Sequence, residues 1–231
     1  MTKRNVLARV IFTLLLTTLS APAVFAQGNQ LTGNVTATST YIWRGLPQTL
    51  DAALQGGVQV DTDKGIYAGG WTSTVSGGSE LDVYGGYKGK ADVFNYDAGA
   101  ILYLYPQEPS ALDLNFFEVY VDISRDFYGA KLSLSSDAGT YIEGYATLPL
   151  EHWNLGLHIG RYAIDDSYDG FKYGYNFYDA NPIKDNYFDF RVGASKDVGG
   201  YTVEFALSDT NLSGPLGDYR TSINISKDFT P

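Results

Sequence analysis

From residue 31 onward, apolar and polar side chains alternate with a period of two, segment after segment. That is the pattern of strands with one greasy and one wet face. In "LTGNVTATSTYIWR" (31–44), Leu31, Val35, Ala37, Tyr41 and Trp43 share one parity; Thr32, Asn34, Thr36, Thr38, Thr40 and Arg44 share the other. In "WNLGLHIGRY", Trp153, Leu155, Leu157 and Ile159 oppose Asn154, Gly156, His158 and Gly160. In "YTVEFALSDT", Val203, Phe205 and Leu207 oppose Thr202, Glu204, Ala206 and Ser208. Twelve such segments lie near 31–44, 53–61, 65–75, 80–89, 92–105, 114–125, 128–136, 140–149, 152–162, 187–197, 200–210 and 219–229.

The connections alternate in length. Those after even-numbered segments are tight: "TDK" at 62–64, "GKA" at 89–91, "DF" at 126–127, "LEH" at 150–152 and "GG" at 199–200. The odd ones include "GLPQTLDA", "PQEPSALD", the stretch 163–186 and "NLSGPLGD"; "SGGS" and "DAG" are short exceptions. Tight turns at one rim and longer loops at the other describe a meander of antiparallel hairpins. They also describe an outer-membrane barrel with both termini on the periplasmic side. The predicted fold is all-β: a single antiparallel up-and-down transmembrane β-barrel of about twelve strands.

Alternation alone leaves the barrel's orientation open, because a soluble lipocalin-like barrel hides its apolar face. Three features favour an apolar exterior. Twelve strands make a barrel wider than the eight-stranded size that side chains just fill. Aromatics gather toward segment ends (Tyr41, Trp43, Tyr67, Phe94, Trp153, Tyr201, Phe229), as interfacial girdles do. The chain also opens with an export signal. Lys3, Arg4 and Arg9 precede a short apolar run, Val10 to Leu19, and Val24 and Ala26 form a small-residue cleavage pattern. Residues 1–26 therefore read as a secretory signal peptide and 27–231 as the barrel domain. On this reading Tyr41 and Trp43 face lipid near the outer interface, Arg44 points into the aqueous side, and Gly45-Leu46-Pro47 opens the first external loop.

Composition supports an exported β protein. Tyr numbers 19, Gly 26 and Cys 0, which excludes a disulfide scaffold and thiol chemistry. Beyond residue 26 the chain carries thirteen basic against 26 acidic residues, a net charge of −13. That disfavours nucleic acid as a partner.

The segment "STYIWRGLPQT…LQGGVQVDTDKGIYAGGWTSTV…ELDVYGGY" resembles the TorF-type porin family, also called the Gcw_chp family. The pattern comprises Ser39, Tyr41, Arg44-Gly45 and Gln48, then Gln55-Gly56-Gly57. Gly65, Tyr67, Trp71, Val75, Glu80, Asp82, Tyr84 and Gly86 follow. "DAGAILYLYP" and Glu118 look similar farther on. Ala52-Ala53 stand where a proline often precedes the Gln-Gly-Gly, and two residues follow the terminal aromatic, Phe229. The resemblance implies a barrel in the bacterial outer membrane with porin function. Its implied partners are outer-membrane lipids, small polar solutes or ions and, during biogenesis, the barrel-assembly machinery. The oligomeric state stays open.

Parity assigns an inner face. Its carboxylates are Glu80, Asp82, Asp97, Glu118, Asp122, Glu143, Asp189 and Glu204; its cations are Arg44, Lys88, Lys131, Arg191 and Arg220. Gln55, Gln59, Tyr84, Tyr103, Tyr120, Tyr141 and Tyr145 join them. The candidate pore-lining set is Arg44, Glu80, Asp82, Glu118, Glu143, Asp189, Arg191, Glu204 and Arg220. Two readings stay open: a water-filled path favouring cations, or a network of ion pairs and tyrosine hydrogen bonds that fills the barrel. Arg44 and Glu80 share a rim and form a candidate pair, either a constriction or a packing salt bridge.

Other chemistry finds little support. Loop 163–186 is the longest and holds five Asp; plug, ligand-binding, docking and plain extended-hairpin readings are all open. Its "DDSYDG" offers calcium oxygens but lacks EF-hand spacing. A wall hydrolase needs a His–Ser pair, and only His152 and His158 exist, with Ser195 as a nucleophile if register allows. No enzyme activity, metal or cofactor is expected. The functional reading is passive diffusion of small polar solutes through an outer-membrane barrel. The alternatives are a non-conducting barrel acting through its external loops and a soluble periplasmic binding barrel.

Overall fold

The computed structural model describes residues 28–106, 114–165 and 186–230. In chain order its strands are β1 (Gln30–Thr38), β2 (Ile42–Trp43), β3 (Leu46–Pro47), β4 (Ala53–Asp61), β5 (Ile66–Val75), β6 (Gly78–Ala91) and β7 (Phe94–Leu104). Then come β8 (Phe116–Arg125), β9 (Tyr128–Ser135), β10 (Gly139–Pro149), β11 (Asn154–Ile164), β12 (Tyr187–Val198), β13 (Tyr201–Thr210) and β14 (Arg220–Phe229). β1 and β4 to β14 form one closed barrel, each strand antiparallel to its sequence neighbour, with β1 pairing both β4 and β14. Thr36 stands opposite Gln55 on one side and Ser226 on the other. Closure leaves no free strand edge, which a hydrocarbon surround requires.

Orientation follows the pleat. Phe205 is 55% exposed, whereas Glu118 is fully buried. Val119, Val121 and Ile123 on β8, Leu132 and Leu134 on β9, and Ile223 and Ile225 on β14 are likewise exposed. Their polar neighbours of opposite parity look inward. A predominantly apolar exterior of this kind, with charges such as Lys196 and Lys227 set over aromatic rings near the turn rim, is the mark of a barrel whose outer solvent is lipid. Among the described residues no helix is long and apolar enough to cross a membrane; strands of 8–14 residues do the spanning.

The tight turns at 62–65, 92–93, 126–127, 150–153 and 199–200 share one rim with residue 30 and Phe229; the longer connections share the other. We call these the turn rim and the loop rim. Of the predicted girdle, Phe94, Trp153, Tyr201 and Phe229 are exposed on the outside, but Tyr67 is buried. Its parity on β5 is inward, so its ring fills the lumen and its hydroxyl donates to Asp97 at 2.6 Å. The predicted signal peptide and most of loop 163–186 lie outside the described residues.

The largest departure from the predicted strands is at the first. β1 stops at Thr38, not at residue 44. The chain then turns inward, and β2 and β3 form a separate two-stranded hairpin. Tyr41 and Trp43 therefore face the lumen, not lipid. The period-two pattern through residue 44 is genuine, but it spans two different strands.

Candidate functional site in the barrel lumen

The inward hairpin dictates the shape of the lumen. Trp43 pairs with Leu46, and Ile42 with Pro47, around the two-residue turn Arg44-Gly45. Both turn residues have positive φ, 49° and 79°, the combination that suits a tight hairpin connection. Glycine meets this freely. A Cβ on Gly45 would also sit 2.6 Å from Asp189 Cβ and Thr210 Cγ2, because the tip presses against the wall. Arg44 accepts an unfavourable backbone region, and its side chain supplies the compensation.

That side chain bonds Glu118 through Nη2, at 2.7 Å to Oε2 and 2.9 Å to Oε1. The two side chains are only 8% and 1% exposed. The guanidinium also lies over the rings of Trp43, Tyr141 and Tyr162, at 4.4, 4.3 and 5.0 Å. Removed from water, such cation–π contacts are worth about 2 kcal/mol or more. The Tyr187 hydroxyl donates to the Arg44 carbonyl at 3.0 Å. At the hairpin base Gln48 N donates to the Tyr41 carbonyl, and Ser76 N donates to the Gln48 carbonyl.

Around the tip the loop-rim end of the lumen is dry. Leu46, Tyr103, Phe116, Ala138, Tyr141, Tyr162, Tyr187 and Leu216 form one buried cluster, with Trp43 packed against it. Tyr103 and Phe116 stack at 4.3 Å between centroids. Burying Leu46 completely contributes about 1.5–3 kcal/mol, which explains why "GLP" leaves the rim and enters the barrel.

Below this layer the wall is polar. His158 sits between two carboxylates, with Nδ1 3.3 Å from Glu143 and Nε2 2.8 Å from Asp189. Tyr141 donates to Asp189 at 2.9 Å. Arg191 bonds Glu204 at 2.6 Å, and Asn224 donates to the same carboxylate at 2.8 Å. Tyr145 donates to Asp122. Tyr67 and Tyr120 share Asp97 and touch each other through their hydroxyls. Nearer the turn rim Lys88 approaches Asp61 at 3.5 Å.

Cavities remain between the described residues, and three of them bear on the site. One of about 400 Å³ is lined by Arg44, Lys131, Glu143, His158, Asp189 and Arg191 among others. A second, about 360 Å³, lies on the side of Tyr41, Trp71 and Asp82. A third, about 660 Å³, lies toward the turn rim at Lys90, Asn95 and Asp122. Lys131 lines all three and marks where they approach one another.

Arg44, Glu80, Asp82, Glu118, Glu143, Asp189, Arg191 and Glu204 all lie on the inward side of the wall or of the hairpin that crosses it. Arg220 stands opposite the inward Ser208 at the loop-rim end of its strand, where it donates to the backbone carbonyls of Pro215, Leu216 and Asp218 and clamps a connection. The pairing expected between Arg44 and Glu80 is also corrected. Arg44 reaches Glu118, and Glu80 accepts from the Tyr41 hydroxyl at 3.3 Å. The hairpin crosses the lumen, so rim proximity in the strand pattern does not give the partner. Ser195 stands opposite Asn154, while His158 is opposite Arg191; register separates the suggested His–Ser pair. Trp43, Trp71 and Tyr162 were not singled out as lumen residues. Trp71 shares parity with Tyr67 and Ser73, a signal already in the sequence, and "IW-RG-LP" reads as a short hairpin around a glycine turn.

Over residues 23–228 the chain matches a family described as "Bacterial protein of unknown function (Gcw_chp)". The chain belongs to the Gcw_chp family. Comparison with curated proteins gives no match. Among solved structures this Gcw_chp barrel is similar to a "KdgM porin" (TM-score 0.56, 10% identity, covering 86% of this chain and 99% of that one). It is similar to the "KdgM porin in complex with disordered oligogalacturonate" (0.55, 11%, 86% and 99%). "LpxR from Salmonella typhimurium" is a further likeness (0.51, 11%, 86% and 99%). At such identities the likeness establishes a shared porin-like barrel fold.

Proposed function

We propose that this Gcw_chp protein resides in the bacterial outer membrane and lets small polar solutes diffuse passively, slowly and with a preference for cations. One observation carries the reading: among the described residues, a closed barrel with an apolar exterior carries more carboxylates than cations on its inward face. Glu80, Asp82, Asp97, Glu118, Asp122, Glu143, Asp189 and Glu204 face Arg44, Lys88, Lys131 and Arg191. An acidic excess in a low-dielectric bore concentrates cations. The likeness to the KdgM porin fold and the resemblance to TorF-type porins support it. The KdgM structure with oligogalacturonate, a polyanion, concerns that protein; the acidic lumen here disfavours such a chain. On this reading His158 belongs to the wall's ion-pair network, with both nitrogens engaged by carboxylates.

A second reading rests on the hairpin. With Leu46 buried and Arg44 locked to Glu118, the barrel is non-conducting and acts through its external loops. Planar-bilayer recordings separate the two. The diffusion reading expects small, steady, cation-selective steps whose selectivity falls in Glu80→Gln/Asp82→Asn, and larger steps in Arg44→Ala. Silence of both wild type and Arg44→Ala across many insertions favours the loop-acting barrel.

A further inference from the structure

The cations in the lumen are not shared evenly among the carboxylates. Arg44 is held by Glu118, Arg191 by Glu204 and Lys88 by Asp61. Lys131 lies directly between Asp122 and Glu143 on its two neighbouring strands. Of the carboxylates without a cation, Asp97 has two tyrosine hydroxyls and Glu80 has Tyr41. Asp82 is the exception. It is 9% exposed, and its Oδ1 is buried with no hydrogen-bond partner among the described residues. A buried carboxylate in that state is costly unless it takes up a proton or a counter-charge arrives.

Its cavity is lined mainly by rings, with Lys88, Lys131 and Asp97 also on the wall. Asp82 stands directly opposite Trp71 on β5 and Tyr103 on β7. These three residues line the 360 Å³ cavity together with Tyr41, Trp43 and Tyr84. Tyr41 meets Trp71 edge-to-face at 5.6 Å, and Trp43 meets Tyr103 at 6.1 Å. The inward hairpin thus supplies two of the seven rings that line it. Rings of this cavity already take cations on their faces, Lys88 over Tyr67 at 4.3 Å and Lys131 over Tyr120 at 4.2 Å. A cage of aromatic faces around one unpaired carboxylate is the chemistry that holds an organic ammonium group. A volume of 360 Å³ falls in the range of small-molecule sites, roughly 300–1,000 Å³.

The geometry points to a binding site for a small organic ammonium ion, with Asp82 as counter-charge and Trp71, Tyr41, Trp43, Tyr103 and Tyr84 as its cage. This inference deepens the proposed pathway and rests on it only in requiring that water reach the lumen. The test uses the full chain in detergent with Trp153→Phe, so that emission comes from Trp43 and Trp71. Choline is titrated against its uncharged shape analogue 3,3-dimethylbutan-1-ol at constant ionic strength. The expected result is saturable quenching by choline, with the alcohol at least about tenfold weaker, as a desolvated cation–π and ion-pair contact implies. Asp82→Asn is expected to lower choline affinity about tenfold or more while leaving that of the alcohol unchanged; heat-modified electrophoretic mobility checks that the barrel is folded. Equal affinity for the two probes overturns the site without any variant. So does unchanged choline binding in folded Asp82→Asn. Conductance without choline binding refutes the site and spares the pathway; choline binding without conductance does the reverse.

Discussion

The two ends of the lumen are built from the same strands with the same inward parity, yet they are different materials. At the loop rim Tyr141, Tyr162 and Tyr187 are 0–1% exposed and enclose Leu46 and the Arg44–Glu118 pair. At the turn rim Lys88 and Asp61 form an ion pair whose side chains are 45% and 31% exposed. The difference comes from one short insertion. The hairpin fills the loop-rim end, so polar groups there rely on protein partners in place of water. At the turn rim water can serve, and geometry matters less. An ion pair read from sequence parity thus has no fixed value; its worth depends on whether the hairpin has dried its surroundings.

The sharpest attack on this contrast is Arg44→Ala. It leaves Glu118 as an uncompensated buried charge, and the expected cost is about 3–5 kcal/mol, read by urea unfolding in lipid vesicles. A cost under about 1 kcal/mol, the scale of an exposed pair, would show that the loop-rim end is wet after all.

Next in size is a pair of substitutions on one strand. Gly160 and Gly156 both face inward on β11, near its loop-rim end and toward its turn-rim end. A Cβ on Gly160 would meet the Tyr141 hydroxyl at 2.0 Å and Asp189 Oδ2 at 2.5 Å. A Cβ on Gly156 would meet nothing nearer than the Gly193 carbonyl at 3.7 Å. Gly160→Ala is expected to destabilise by about 1–3 kcal/mol through overpacking. Gly156→Ala should be neutral or stabilising by about 0.5 kcal/mol, because glycine weakens a strand interior. Equal effects in the same unfolding assay would erase the distinction between the ends.

The smallest effect is expected at Lys88→Ala. Its half-exposed pair with Asp61 at 3.5 Å should contribute no more than about 0.2–1 kcal/mol, declining further in high salt. A loss comparable to that of Arg44→Ala would mean that the turn-rim end is as dry as the other.

Most of the wall was legible in the sequence. The segment 53–61 coincides with β4, and most other predicted limits fall within a residue or two of the strands. The inward wall residues proposed from parity are where parity puts them. The failures share one cause. Tyr41 and Trp43 were placed on lipid and Arg44 beside Glu80 because the alternation runs on through residues 39–44 without a visible break. The Arg44-Gly45 turn is a local signal for a hairpin, but nothing local says whether that hairpin rises above the rim or crosses the bore. That choice depends on whether Trp43 and Leu46 find Tyr103, Phe116 and Tyr162, residues distant in sequence. Arg220 keeps its inward parity, but the carbonyls it clamps belong to a connection whose path parity does not describe.

The amino-acid order by itself determined the strands, their two faces and the rim at which each connection lies. These follow from a two-residue period, turn chemistry and the demand that backbone polar groups be paired. Only the tertiary structure decided that the first connection enters the barrel, that Glu118 is the partner of Arg44, and that Asp82 is left alone among rings. Those outcomes depend on which side chains meet across the lumen, and a short-range pattern carries no information about distances between strands that are not neighbours.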